Sequence, residues 1–264
     1  MTAGPSILES FLSRNSVVEG THLPLAHTTR SYNLGKISER NIISAGQCDV
    51  FLNDKLNYFF VGRPSYKYIA QGVEGAHWEF PSCFIFEFES IGDIKRIFPF
   101  DSGAFSKGMY PDYIKNIEIE NFMAGNDRSY PSKIIGAFFE SPLKYFMLEA
   151  KEQQRFVAEY SVGPRDAELS ALHRLASDKS LYGIDDRRFT IEVQSQEDVD
   201  LKIKSPIAVI FPHQYLLDDE LVGIIKDVWK SKIITYKTYS LNLDNIYGNI
   251  YSKVDDIYQG MGIF

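Results

Sequence analysis

HTTRSYNLGKISERN, residues 27–41, is the stretch on which the reading of the fold turns. The apolar segment THLPLAH runs up to His27, and Thr28 or Thr29 can then cap a helix whose apolar side passes through Leu34 and Ile37 towards Ile42. The pattern predicts strand, cap and helix, with polar side chains crowded at the junction. A histidine before a helix is by itself most often a partly buried hydrogen-bonding residue, so its meaning depends on what the rest of the chain places beside it.

Upstream, ILESFL follows Pro5 and Ser6 with helical spacing and predicts a short packing helix. Downstream, QCDVFL and LNYFFVGRPSY flank the turn-forming pair Asn53 and Asp54 and predict two hairpin-linked strands, the second breaking around Arg63 at Gly62 and Pro64. From about residue 72 to 164, pieces such as SCFIFEF alternate with turn-rich stretches such as FPFDSGAFSKGMYPD, which predicts a large loop-rich insertion. Within it, Ser141 and Pro142 open a predicted helix through LKYFMLEAKEQQRFV. A break at Gly163 and Pro164 and a second helix over 166–176 follow.

RRFTIEVQ alternates, with Phe189, Ile191 and Val193 on one face and Arg188, Thr190, Glu192 and Gln194 on the other, and predicts a strand with a polar, ordinarily solvated face. SPIAVIF predicts an apolar strand, DDELVGIIKDVW an amphipathic helix, KIITYKTY a strand, and the tail after Ser240 a last helix. No repeat, low-complexity tract or linker divides the chain, so residues 1–264 are expected to form a single domain.

The 264 residues are 44% hydrophobic and 24% charged, enough to bury a substantial core. With 28 basic against 35 acidic residues the net charge is -7, which argues against a surface that is attractive to phosphate everywhere and confines any nucleic-acid site to a local patch. Lys226, Lys230, Lys232 and Lys237 could form such a patch, although a solvated face is the ordinary outcome. Cys48 and Cys83 have no metal-type spacing and read as buried thiols in a reducing compartment. The start lacks a secretory pattern and no apolar run approaches the ~18 residues of a span, so a cytoplasmic protein without a membrane partner is expected. His77, His173 and His213 share no ligand spacing, and Walker, Rossmann and GxSxG motifs are absent, so no metal or ATP chemistry is expected.

His27, Thr29, Asn33, Leu34 and Ile37 follow the pattern His, one residue, Thr, three residues, Asn-Leu, two residues, Ile. In this the chain resembles the nucleotide-binding opening of the DarT-type ADP-ribosyltransferases. Asn41 stands where that family usually has Gly, and Asn also accepts the left-handed conformation that ends helices. LNYFFVGRPSY is similar to the family's aromatic strand running into a Pro-Arg-x-Pro turn, with Arg63 in the Arg place, Gly62 for the first Pro and Pro64 one place early. RFTIEVQ resembles the strand that carries the family's catalytic glutamate, here Glu192. Protein-arginine transferases commonly have Glu or Gln where this chain has Thr190, which argues mildly against that acceptor.

The resemblance implies an α+β fold, an ADP-ribosyltransferase-like split β-sandwich with flanking helices, and NAD as substrate. It implies Glu192, Arg63 and His27 as catalytic residues, and His27, Thr29, Asn33, Phe60, Arg63 and Tyr66 as residues that hold NAD, the aromatic ones with Phe59 as faces for nicotinamide. A carboxylate suits the task because the nicotinamide–ribose bond breaks through a cation-like sugar, which a nearby negative charge stabilises. It further implies a toxin or defence enzyme that modifies a DNA or RNA base, with a possible antitoxin partner and with the aromatic loops between Phe98 and Tyr130 as places for bases to stack. Protein ADP-ribosylation, NAD hydrolysis, and a non-catalytic interaction module with the same fold are the alternatives.

Overall fold

Leu25–Arg30 (β1) alternates between the two apolar layers of the molecule, and it lies in the middle of the main sheet. The computed structural model describes residues 4–15, 22–65, 76–178, 189–238 and 243–264. Among these, one 8-stranded sheet has the spatial order β10 (Lys232–Tyr236), β9 (Ala208–Pro212), β5 (Pro81–Phe86), β1, β4 (Lys55–Val61), β7 (Glu192–Ser195), β6 (Ile94–Phe98). The eighth strand, β3 (Gly46–Gln47), pairs with β4, and β2 (Ile42–Ile43) forms a separate ribbon with β8 (Val199–Asp200). Every pairing is antiparallel except that of β9 with β10.

One sheet face carries Leu25, Phe59, Val61, Phe84, Phe86, Val193 and Val209 into a large core. That core also takes in α1 (Ile7–Arg14), α2 (Asn33–Arg40), α5 (Tyr130–Phe138) and α8 (Ala167–Ser177). The other face, with Ala26, Cys83, Ile85, Ala208 and Ile210, is covered by α10 (Leu243–Gly260), whose Ile246, Ile250, Val254 and Ile257 recur at helical spacing. The shorter helices are α3 (Ser102–Ser106), α4 (Asp112–Lys115), α6 (Pro142–Phe146), α7 (Gln153–Tyr160) and α9 (Asp219–Gly223). A mixed helical and mostly antiparallel architecture of this kind is compatible with the α+β class. No helix among the described residues is long and apolar enough to cross a membrane.

Several sequence expectations need correction. β1 runs on to Arg30, so Thr28 and Thr29 are strand residues, and the cap position of α2 falls to Tyr32, which makes no side-chain capping bond. QCDVFL is not a strand: only Gly46 and Gln47 pair, and the chain then turns as the Cys48 sulfur accepts the amide N–H groups of Val50 (3.3 Å) and Phe51 (3.1 Å). In the stretch 72–164, expected to be loop-rich, the strand-like piece SCFIFEF is β5 and the helix opened by Ser141 and Pro142 is α6, but the described residues also supply β6, α3, α4 and α5. Its helices, of four to nine residues, show too few turns for their period to be legible.

The helix expected from Ser141 breaks after α6, where Leu148 takes φ +53°, and restarts as α7. The helix expected over DDELVGIIKDVW is α9 followed by a π-helical turn at Ile224–Val228. The strand expected over RRFTIEVQ begins only at Glu192, and Thr190, Glu192 and Gln194 are buried rather than solvated, Glu192 and Gln194 bonding to Ser102 of α3 and Gln194 to Arg96 of β6. Cys48 and Cys83 are both buried free thiols, as expected.

Candidate functional site

The sheet forks at β1. Its pairing with β4 is confined to Leu25↔Val61 and Ala26↔Phe60, whereas its pairing with β5 continues through His27, Thr28, Thr29 and Arg30. His27 stands at the fork, with its ring near Phe59 (centroids 5.6 Å apart) and Phe84 (6.3 Å), and its Nδ1 is 3.0 Å from the Tyr58 carbonyl. A carbonyl only accepts, so Nδ1 carries the hydrogen. Two residues on, Thr29 accepts a bond from Asn33 Nδ2 at 2.8 Å, which ties the first residue of α2 to the strand. His27, Thr29 and Asn33 therefore share one polar edge.

Glu192 occupies the cross-strand row Ala26, Phe60, Glu192, Phe98. It is fully buried, and its Oε1 accepts from the Ser102 hydroxyl (2.6 Å) and from Gln194 Nε2 (2.6 Å). Gln194 Nε2 also donates to Ser102 Oγ at 3.0 Å, and its Oε1 accepts from Arg96 Nε at 2.5 Å. Arg96 lies 3.7 Å from the centre of the Phe51 ring and pairs with Asp54, which also accepts from Lys95 at 2.8 Å. The hydrogen bonds and charges of Lys95 and Arg96 hold the Asp54 carboxyl below its ordinary range. Tyr58 donates to the Cys48 sulfur at 2.8 Å; burial first, then that sulfur and the charge of Glu192, push its pKa up, so the phenol keeps its proton.

Two strand spacings, about 10 Å, separate the Glu192 and Ala26 backbones in this row. Because side chains alternate along a strand, His27 and Glu192 leave the sheet on opposite faces. The structure thus groups His27 with Thr29 and Asn33, and Glu192 with Ser102 and Gln194, but does not bring the two groups onto one face.

Arg63 lies in a third place. The chain turns at Gly62 with φ +66°, and an added Cβ there would sit 2.7 Å from Leu23 Cδ1. Arg63, 3% exposed, then donates from Nη1 to the Tyr145 carbonyl (3.1 Å) and the Phe146 carbonyl, closing the end of α6. Tyr145 reaches back to the sheet, where its hydroxyl donates to the Val61 carbonyl (2.9 Å) and accepts from the Ile191 amide (3.0 Å). Phe59 and Phe60 are both buried, and Tyr66 lies outside the described residues.

The aromatic residues between Phe98 and Tyr130 do not form an exposed stacking surface. Phe100 packs on Phe105 (4.8 Å) and Phe122 (5.2 Å), and Phe105 on Tyr110 (5.5 Å), all within the core. Among the described residues an exposed aromatic pair lies elsewhere: Tyr32 is 54% and Trp78 50% exposed, and the Tyr32 amide donates to the Trp78 carbonyl at 2.9 Å. Beside them stand His77, 5.0 Å from the Trp78 ring, Arg30, 6.0 Å from the Tyr32 ring, and exposed Lys36 and Glu39 on α2. The adjacency of Tyr32 to Arg30 and of Trp78 to His77 was the available signal in the sequence. Lys226, Lys230, Lys232 and Lys237 are all exposed. Among the described residues, no group of three or more His, Cys, Asp or Glu is placed to hold a metal ion. No protein-family model, curated protein or solved structure matches this chain.

Proposed function

We propose that this chain cleaves NAD and transfers its ADP-ribose, as an ADP-ribosyltransferase whose forked sheet serves as the family's split β-sandwich. The observation that carries the reading is the fully buried Glu192 on a central strand, one strand from the fork, with its carboxylate oriented by Ser102 and Gln194. A carboxylate withdrawn from water stabilises a neighbouring sugar cation far more strongly than a solvated one. In the proposed reaction the bond between C1′ and nicotinamide breaks and nicotinamide leaves with the electron pair. The acceptor then bonds to C1′, and its proton passes to Glu192. His27, Thr29 and Asn33 supply donors and acceptors for the substrate's ribose or amide groups at the fork. Arg63 is assigned to holding α6, and acts on the site through Tyr145.

For the acceptor we favour a DNA or RNA base. Exposed Tyr32 and Trp78, with Arg30 and Lys36 beside them, offer ring faces and positive charge at the end of β1 that leads into α2. A cytoplasmic toxin or defence role, with an antitoxin partner, belongs to the same proposal. A second reading, a binding module that keeps the architecture without cleaving NAD, is favoured by one observation: Glu192 and His27 face opposite sides of the sheet.

Labelled NAD incubated with the purified chain and DNA, RNA or cell-lysate protein separates these readings. Label on nucleic acid is the expected result. Label on protein alone would redirect the acceptor, and nicotinamide release without a labelled acceptor would identify a hydrolase. Absence of release supports the binding module and ends the enzyme reading. Glu192→Gln, near-isosteric, is expected to lower release by about 100-fold or more; full activity in that variant would overturn the catalytic assignment.

A further inference from the structure

Glu192 ends a line of side chains that runs across β7 and β6 towards the surface. Gln194 Nε2 donates to Glu192 Oε1 at 2.6 Å, Arg96 Nε donates to Gln194 Oε1 at 2.5 Å, and a second Arg96 nitrogen bonds to Asp54, which Lys95 also reaches at 2.8 Å. We infer that Arg96 is the positioning residue of Glu192, acting through the Gln194 amide and held in turn by Asp54. Its part in the reaction rests on Glu192 being the carboxylate that cleaves NAD.

Three observations carry the inference. The first is the direction of the hydrogen bonds. Arg96 only donates and an ionised carboxylate only accepts, so the Gln194 amide fits between them in one orientation. Turned over, it would set an oxygen against Glu192 Oε1 and an NH2 group against the Arg96 Nε–H. The other Gln194 hydrogen goes to Ser102 Oγ at 3.0 Å, and the Ser102 hydroxyl donates to Glu192 Oε1. Arg96 thus selects the orientation in which the amide supports Glu192, and its charge polarises that amide.

The second is the register. Ile94 pairs with Ser195 but Arg96 with Gln194, so β6 carries one extra residue, Lys95. In the register of Ile94, Arg96 would stand opposite Val193, whose side chain lies in the large core. The bulge sets it beside Gln194 instead and lets Lys95 and Arg96 both reach Asp54.

The third is burial. Arg96 is 9% exposed, and its guanidinium lies against Phe51, whose ring stacks on Phe98, the residue opposite Glu192. A pair with Asp54 alone does not require a buried arginine. A buried carboxylate does require a compensating charge, and the line supplies one from a single amide away.

Nicotinamide release and urea unfolding of the full chain test this together. Arg96→Lys keeps the charge but not the Nε–H aimed at Gln194, and is expected to lower kcat about fivefold or more with KM for NAD within about twofold. Arg96→Met is expected to lower kcat further, yet to add no loss in a Gln194→Met background, where the line is already cut. Unfolding needs no activity: Arg96→Met should lower the urea midpoint no more than about half as far in a Glu192→Gln background as in the unaltered chain, because no carboxylate then loses its compensating charge. Should Arg96→Met not fold, Arg96→Lys takes its place in that comparison. Equal shifts in the two backgrounds overturn the inference, as do full kcat in Arg96→Lys or a further loss on top of Gln194→Met. Unequal shifts in a chain that releases no nicotinamide uphold the positioning of Glu192 and end the NAD reading instead.

Discussion

Ser102 and Gln194 make a fully buried carboxylate tolerable at position 192, because each brings a donor to Oε1 within 2.6 Å. Ser102→Ala would leave the carboxylate one donor short in a place that water does not reach, and should cost about 1–3 kcal/mol in urea unfolding. An unchanged midpoint would show that the Ser102 hydroxyl is not needed to support Glu192. His173 allows a test by pH. Its ring is buried, stacks on Phe156 at 4.6 Å and bonds to the Lys151 carbonyl at 2.7 Å, and burial lowers its pKa below 6.5. The unfolded chain therefore takes up a proton near pH 6.5 that the folded chain refuses, so stability is complete above that pH and declines as pH falls towards the lower folded value. His173→Gln should flatten that decline, as measured by denaturation at a series of pH values; a slope that persists would assign it to other groups.

Among the elements, the end of β4 is the most sensitive to single changes. Gly62→Ala would combine a left-handed backbone at φ +66° with a Cβ 2.7 Å from Leu23, and should cost about 1–3 kcal/mol in thermal or urea unfolding; a neutral result would show that this turn can move. The elements that the sequence made legible were those with local causes. β4 was readable from its aromatic run, and the end of α2 from Asn41, which takes φ +56° and whose Oδ1 accepts from the Trp229 indole at 2.8 Å. The break between α6 and α7 was not readable. It depends on Arg63, 82 and 83 residues earlier in the chain, closing the carbonyls of Tyr145 and Phe146, and on the Lys151 amide bonding to the Phe138 carbonyl at 2.8 Å.

Across the whole molecule, a net charge of -7 means that any attraction to nucleic acid has to come from a local patch rather than from the overall field. Tyr32→Ala combined with Trp78→Ala should therefore abolish labelling of DNA or RNA while nicotinamide release persists; undiminished labelling would place the acceptor surface elsewhere. The mixed helix and sheet class was legible from strand and helix periodicities. The candidate site was legible as a set of residue types, but not as an arrangement, because the face on which each stands depends on sheet order and register. Alternation marked Glu192 as belonging to a polar face, and only the tertiary contacts of that face, with Ser102 of α3 and Arg96 of β6, show that it is buried. The central place of β1 also has a consequence for synthesis. β1 leaves the ribosome first among the main strands, with β4 and β5 soon after, but β7 and β9, which complete both sides, begin only at residues 192 and 208. At about 5–20 residues added per second, the nascent chain carries open strand edges at β4 and β5 for roughly 6–26 seconds. Messages truncated shortly before residue 192 should thus yield sticky, chaperone-dependent fragments rather than smaller folded proteins.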